Sequence, residues 1–201
     1  MTKIKACGLT REREIDYVNQ YLPDYAGFVL CFPNSRRSIS PERAEQLIRL
    51  LNPGIGAVGV VVDLPLEQAA GLLNRGFLDA IQLHGSEDAD YILALKAATG
   101  RQIWKAFQIR SPADLEAADA SPADMVVLDS GQGSGQVFDW SLLRDFGRPY
   151  FLAGGLGPGN VVRAVKQLHP YGIDLSSGIE TNGVKDKGKL SSVISSVRRI
   201  K

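Results

Sequence analysis

Cysteine is scarce in this sequence: among 201 residues only Cys7 and Cys31 carry thiols. Two are too few for a disulfide scaffold, and a reducing compartment is the better fit. No CxxC or Cys/His cluster stands beside them, and His84 and His169 alone imply no metal, so none is expected. Long apolar runs are missing too. The opening MTKIKACGLT has Lys3 and Lys5 but no extended hydrophobic stretch after them, so neither a signal peptide nor a membrane anchor is expected, and a cytoplasmic protein with no membrane partner is. Nor is there an excess of charge of one sign. The 23 Lys and Arg balance 22 Asp and Glu, which leaves no surplus of positive charge to hold a polyphosphate backbone and argues against nucleic acid as the main partner. The most basic stretch, 185–201, is expected to be a solvated last helix whose cations suit its own C-terminus.

Nucleotide fingerprints are also absent. Gly131, Gly133, Gly135 and Gly155, Gly157, Gly159 are spaced GxGxG, but Gln136 and Asn160 stand where GxGxxG needs glycine. No Gly-Lys-Ser/Thr follows either, so a P-loop fails as well. A lone phosphate carried on a sugar suits these glycines better.

What is present is alternation. Apolar residues make up 44% and charged residues 22%, an ordinary globular balance, and the chain is long enough to bury a substantial core. Short apolar runs predict strands at 4–7, 26–32, 57–63, 80–84, 102–107, 125–129, 150–153 and 172–176. Between them apolar residues recur three and four apart, as in Ala44, Leu47, Ile48, Leu51, in Tyr91, Ile92, Leu95, Ala98, and in Val161, Ala164, Val165, Leu168, so each segment predicts a helix with one buried stripe. Ser40-Pro41 and Ser111-Pro112 place a capping hydroxyl before a proline at the first helical position. A helix near 140–146 has the weakest pattern. Eight βα units at about 25 residues each predict an α/β fold, a (β/α)₈ TIM barrel with an eight-stranded parallel sheet, filling 1–201 as one catalytic domain. An open doubly wound sheet is the competing architecture, because local patterns do not show whether the first and eighth strands meet.

Barrels of this kind build their sites at the C-terminal strand ends. Those ends carry Cys7, Asp63, Gln82, His84, Lys105, Asp129, Gly154, Gly155, Asp174, Ser176 and Ser177. In AGGLGPGN two glycines, Gly154 and Gly155, follow a strand and a proline and asparagine start a helix, while DLSSGIE supplies Ser176, Ser177 and Gly178; close-approaching backbone N–H groups near a helix start are the makings of a phosphate site. Cys7 and Asp129 bring a thiol and a carboxylate to one rim, as an acid–base isomerisation requires, with no redox cofactor needed. Blander explanations exist for both: cysteine is often a small core residue, and aspartate often ends a strand.

The stretches KACGLT, GFVLCFPNSRRSIS, QLHG, VVLDS, GSGQVFDW, LAGGL and DLSSGIE, in this order, closely resemble phosphoribosylanthranilate isomerase of tryptophan biosynthesis. The resemblance implies an Amadori rearrangement of N-(5-phosphoribosyl)anthranilate, an aldose–ketose isomerisation without a cofactor. It also implies Cys7 as general base and Asp129 as general acid, Arg37 or its neighbour Arg36 facing the anthranilate, Asp174 near the substrate nitrogen, and phosphate on Gly154, Gly155, Ser177 and Gly178. Gln82 and His84 would line the pocket. A thiol base is helped by a nearby cation, with Lys5 and Lys105 as candidates, and the glycine-rich segment 131–135 would close over the ribose. Another sugar-phosphate isomerase barrel, or a non-catalytic phosphate-binding barrel, are the alternatives. A monomer and a homodimer are equally open.

Overall fold

The computed structural model describes residues 1–129, 140–143 and 146–200. Along the chain run β1 (Lys3–Cys7), α1 (Glu12–Tyr21), β2 (Tyr25–Leu30), a short β3 (Ser38–Ile39), α2 (Pro41–Ile48), β4 (Gly56–Val61) and α3 (Leu66–Asn74). Then come β5 (Ala80–Leu83), α4 (Ala89–Thr99), β6 (Gln102–Gln108), α5 (Pro112–Ala120), β7 (Met125–Asp129) and a 3-10 turn at Trp140–Leu143. The last part holds β8 (Tyr150–Ala153), α6 (Val161–Leu168), β9 (Gly172–Leu175), a 3-10 turn at Ser177–Ile179, the hairpin strands β10 (Glu180–Thr181) and β11 (Val184–Lys185), and α7 (Lys187–Arg198).

The sheet closes. β1 is hydrogen-bonded in parallel to β9 on one edge, with Lys5 opposite Asp174, and to β2 on the other, with Cys7 opposite Gly27. The remaining strands follow in chain order from β9 back through β8, β7, β6, β5 and β4 to β2. This ring is the (β/α)₈ barrel, and it excludes the open doubly wound sheet.

Strand residues alternate between two layers. Outward-facing Ile4, Phe28, Val126, Leu152 and Ile173 pack with Leu47, Leu73, Leu95, Val165 and Val193 of the helices. The inward set, Val58, Ala80, Trp104, Ala106, Val127, Phe151 and Ala153, forms a separate cluster inside the barrel. Trp104 and Phe151 stack there at 4.9 Å, with the edge of Tyr25 against both. Glycine makes the room: a Cβ at Gly172 would stand 2.4 Å from the Phe151 ring, and one at Gly56 2.8 Å from Tyr25.

Several expected boundaries move for local reasons. β2 stops at Leu30, short of Phe32, because Cys31 turns to a left-handed φ of 56°, and β4 stops at Val61 because Asp63 does the same at 48°. β5 and β9 likewise end one residue early, before His84 and Ser176, and β6 runs one residue on, to Gln108. The predicted helix near 140–146 is a single 3-10 turn among the described residues. Ala98 falls on the exposed side of α4, outside the predicted stripe. The caps are as expected, with Ser40 accepting from the Arg43 amide and Ser111 forming a reciprocal box with Asp114.

Trp104→Ala empties the centre of the inner cluster, and its expected cost is about 3–5 kcal/mol of stability. A lowered urea midpoint with an unchanged slope is the corresponding measurement.

Candidate active site

The period of two that buries Lys5 and Cys7 inside the barrel also aims Gln82, His84, Asp129 and Asp174 inward from β5, the residue after it, β7 and β9. Two groups result. On one side Lys5 Nζ, wholly buried, lies 2.8 Å from Asp174 Oδ2. Cys7, 8% exposed, sits one step above Lys5 on the same strand face. Burial pushes the Cys7 thiol up from its ordinary value; Lys5 opposes this most strongly, and Asp174 adds to it. Burial also works against the Lys5 ammonium, but Asp174 and then Cys7 outweigh it, so the lysine is held above its ordinary value.

On the other side His84 Nε2 approaches Asp129 Oδ2 at 3.7 Å, proximity rather than a formed hydrogen bond. The imidazole is 42% exposed; the part that is buried lowers its proton affinity, and the pull of Asp129 does not fully restore it. Asp174 and Lys5 project inward from β9 and β1 as His84 and Asp129 do from their own strands, so the two groups face one interior. Gln82 is buried inside the barrel. Its Oε1 and the Asp174 Oδ1 are buried acceptors with no hydrogen-bond partner among the described residues. Buried acceptors of this kind are ordinarily satisfied by a donor on water or on a ligand.

Between β7 and β1 in the ring stand β8 and β9, so the two glycine-bearing loops separate the Asp129 and Cys7 strands. Gly154 and Gly155 both take left-handed φ, 96° and 58°. Asn160 braces this loop, accepting from the Gly157 amide at 2.9 Å and donating to the Gly155 carbonyl at 3.0 Å. The following loop lies against it backbone to backbone, since a Cβ at Gly178 would stand 1.9 Å from the Leu156 carbonyl oxygen. Ser177 and Gly178 open a 3-10 turn there.

A third cluster spans the loops after β2 and β9. Arg37 grips Glu180 with two parallel bonds, Nε to Oε1 at 2.7 Å and Nη2 to Oε2 at 2.8 Å. Arg36 Nη2 reaches the same carboxylate at 2.6 Å, and Lys185 Nζ reaches it at 2.6 Å from the other side. Arg36 is mostly exposed, whereas Arg37 crosses over Gly8, where a Cβ would meet its Cδ at 2.4 Å. Neither Glu180 nor Lys185 is found by sequence reasoning. Glu180 closes DLSSGIE without an assigned role, and Lys185 is expected on a solvated helix. In fact Lys185 is 4% exposed and lies on β11, before α7 begins. Lys105 is not available to Cys7, because its Nζ binds Glu87 at 2.9 Å and the Gly85 carbonyl at 2.5 Å. Asp63 accepts from the Ser86 amide and hydroxyl, a loop-bracing task. The expected closing segment 131–135 lies outside the described residues.

A closed (β/α)₈ barrel with a thiol, a carboxylate, and two glycine loops at the C-terminal ends of its strands belongs to the enzymes that build acid–base sites on that rim. The model of the N-(5'-phosphoribosyl)anthranilate (PRA) isomerase family matches residues 4–196. The chain belongs to that family. It is 42% identical to the N-(5'-phosphoribosyl)anthranilate isomerase of Acetivibrio thermocellus, over 98% of this chain and 96% of that protein. A crystal structure of phosphoribosyl anthranilate isomerase in complex with reduced 1-(o-carboxyphenylamino)-1-deoxyribulose 5-phosphate superposes with a TM-score of 0.88 at 31% identity, covering 100% of both chains. Monomers generated from the dimeric isomerase of Thermotoga maritima give 0.88 at 32% identity, again with 100% of each chain covered. The two alternative functions have no such support.

Burial alone would lift the Glu180 carboxyl, but the hydrogen bonds from Arg37 and Lys185 outweigh it and hold it at about 2, against an ordinary 4.5. Because the folded value is depressed, this carboxylate's contribution to stability is complete above pH 4.5 and is lost as the pH falls through about 2. Glu180→Gln removes that part of the acid-unfolding curve. It also costs about 3–5 kcal/mol at neutral pH by leaving Arg37 and Lys185 without their anion. Denaturant titrations at pH 7, 4 and 2.5 read both effects.

Proposed function

We propose that this chain isomerises N-(5'-phosphoribosyl)anthranilate to 1-(2-carboxyphenylamino)-1-deoxyribulose 5-phosphate, an Amadori rearrangement in tryptophan biosynthesis, with Asp129 as the acid and Cys7 as the base. The observation that carries this assignment is the ring order. The β8 and β9 loops stand between the Asp129 strand and the Cys7 strand, so a phosphate held by Gly154, Gly155, Ser177 and Gly178 leaves its ribose reaching toward both groups.

Protonated Asp129 gives its proton to the ring oxygen. The bond from C1′ to that oxygen breaks, and the anilino nitrogen lone pair forms a Schiff base. The Cys7 thiolate then removes the proton from C2′, and the electrons of that C–H bond form the C1′–C2′ double bond of a neutral enolamine. Tautomerisation moves the enol proton to C1′ and leaves the ketone at C2′. Positioned acid and base groups are each worth roughly 10²–10⁴-fold in rate.

Arg37 faces the anthranilate carboxylate in this scheme. Its Nε and Nη2 are held by Glu180, and Nη1 has no hydrogen bond among the described residues. That leaves one edge of a pre-oriented guanidinium for a ligand. Arg36 is the outer neighbour, turned to solvent. The unpaired Asp174 Oδ1 and Gln82 Oε1 suit the substrate N–H and hydroxyl donors, and His84 lines the wall beside Asp129.

Residues 1–201 act as one catalytic domain in the cytoplasm, as a monomer or a homodimer, on a small sugar phosphate rather than on nucleic acid or a membrane. No helix among the described residues is long and apolar enough to cross a membrane.

Purified protein added to freshly made phosphoribosylanthranilate should abolish the fluorescence of the substrate, and a chain that leaves it unchanged overturns the assignment. Asp129→Asn and Cys7→Ala are each expected to lower kcat by at least roughly 10²-fold with smaller changes in KM. Arg37→Ala should mainly raise KM. Near-normal kcat in both acid–base variants would remove their roles.

A further inference from the structure

Lys5 is a buried cation that the scheme above does not use. We propose that Lys5 is a positioning residue for the base: its ammonium, tethered by Asp174, favours the Cys7 thiolate, and Asp174 limits how far it does so. The proposal rests on Cys7 as base but is read by a different measurement.

Lys5 and Cys7 are two residues apart on β1, so both project into the barrel, one above the other. Their tips converge. The register partner of Cys7 is Gly27 of β2, and a Cβ built there would stand 2.8 Å from Cys7 Sγ and 3.1 Å from Lys5 Cε. Sulfur and lysine chain therefore crowd into the space that this missing side chain leaves. An ammonium has three N–H donors. One of them goes to Asp174 Oδ2 at 2.8 Å, and no other carboxylate binds this lysine among the described residues. Donor capacity is left over at full burial, one inward-facing position from Cys7 on the same strand.

Other charges facing Cys7 lie on neighbouring elements. Lys185 on β11 favours the thiolate, Arg37 before β3 interacts with it, and Asp174 on β9 disfavours it; β2 contributes only Gly27. Lys185 and Arg37 share the single carboxylate of Glu180, which offsets only part of their charge. Lys5, next to Cys7 on the inward face of the same strand, acts on the thiol more strongly than Lys185 does, and Asp174 does two opposite things. It holds the ammonium in place, and its own negative charge opposes ionisation of the thiol. The two residues should shift Cys7 in opposite directions, which a merely structural pair would not do.

The test is the pH dependence of iodoacetamide alkylation at Cys7 in the full chain without substrate, followed by mass spectrometry of the Cys7 peptide. Exposed Cys31 serves as an internal control. Lys5→Met should move the Cys7 midpoint upward and slow alkylation at pH 7 by roughly tenfold, since only the thiolate reacts. Asp174→Asn should move it downward, and Cys31 should not change in either. With substrate, Lys5→Met should lower kcat at pH 7 more than it raises KM, and kcat should recover as the pH is raised. If Lys5→Met alone does not fold, the double variant, in which no charge is left unpaired, is compared with Asp174→Asn, and its midpoint should be the higher. Midpoints that coincide in that comparison, or that shift the same way in both single variants, overturn the proposal. Turnover retained in Cys7→Ala would instead overturn the base assignment and leave the alkylation result standing.

Discussion

The site depends on β1 being hydrogen-bonded along both of its edges. Pairing with β9 sets Lys5 opposite Asp174, and pairing with β2 sets Cys7 opposite Gly27. One strand thereby brings a thiol, an ammonium and a carboxylate into the same interior. Without closure of the ring, Lys5 would be a bare charge on a sheet edge, and Asp174 would be out of its reach. A fully buried lysine is tolerable only with a well-placed anion, so the register of β1 against β9 is a condition of the fold as well as of the chemistry.

The rest of the rim arches over this strand. Arg36 and Arg37 come from the loop after β2, while Glu180 and Lys185 come from the segment after β9, and they meet across Gly8 above Cys7. The carboxylate at the centre has three cations around it, which keeps it ionised and fixes the fork of Arg37 in one orientation. On the other flank, the loops after β8 and β9 touch through Gly178 and the Leu156 carbonyl, a contact that any side chain at 178 would prevent. Glycine is needed there for close approach of backbone, the property that also suits an anion site.

The elements themselves were legible in the residue pattern. Apolar runs marked all eight barrel strands, and Ala44 and Leu47 of α2 and Val161, Ala164 and Val165 of α6 are buried as their spacing predicts, because helix periodicity is a local consequence of burying one side; Leu51 falls beyond the end of α2. Ser40 and Ser111 announced their helices because a cap satisfies amides only two or three residues away. The exceptions were equally physical. Cys31 and Asp63 ended strands through left-handed backbone that apolar patterning does not encode, and the short β3, β10 and β11 have too few residues to carry a period. Of the residues lining the site, the strand-end set was readable because the C-terminal ends of barrel strands share one rim.

What the sequence determined by itself was the alternating α/β pattern, the caps, the glycines where backbone must approach backbone, and the resemblance that named Cys7 and Asp129. Tertiary structure decided which charges meet. Lys185 belongs by composition to a basic tail but is buried on β11 against Glu180, and Lys105, by sequence as eligible as Lys5, is held by Glu87. An ion pair between residues 169 positions apart, such as Lys5 with Asp174, leaves no local signature, since its energy depends on separation in space and on exclusion of water, and both exist only once the barrel has closed.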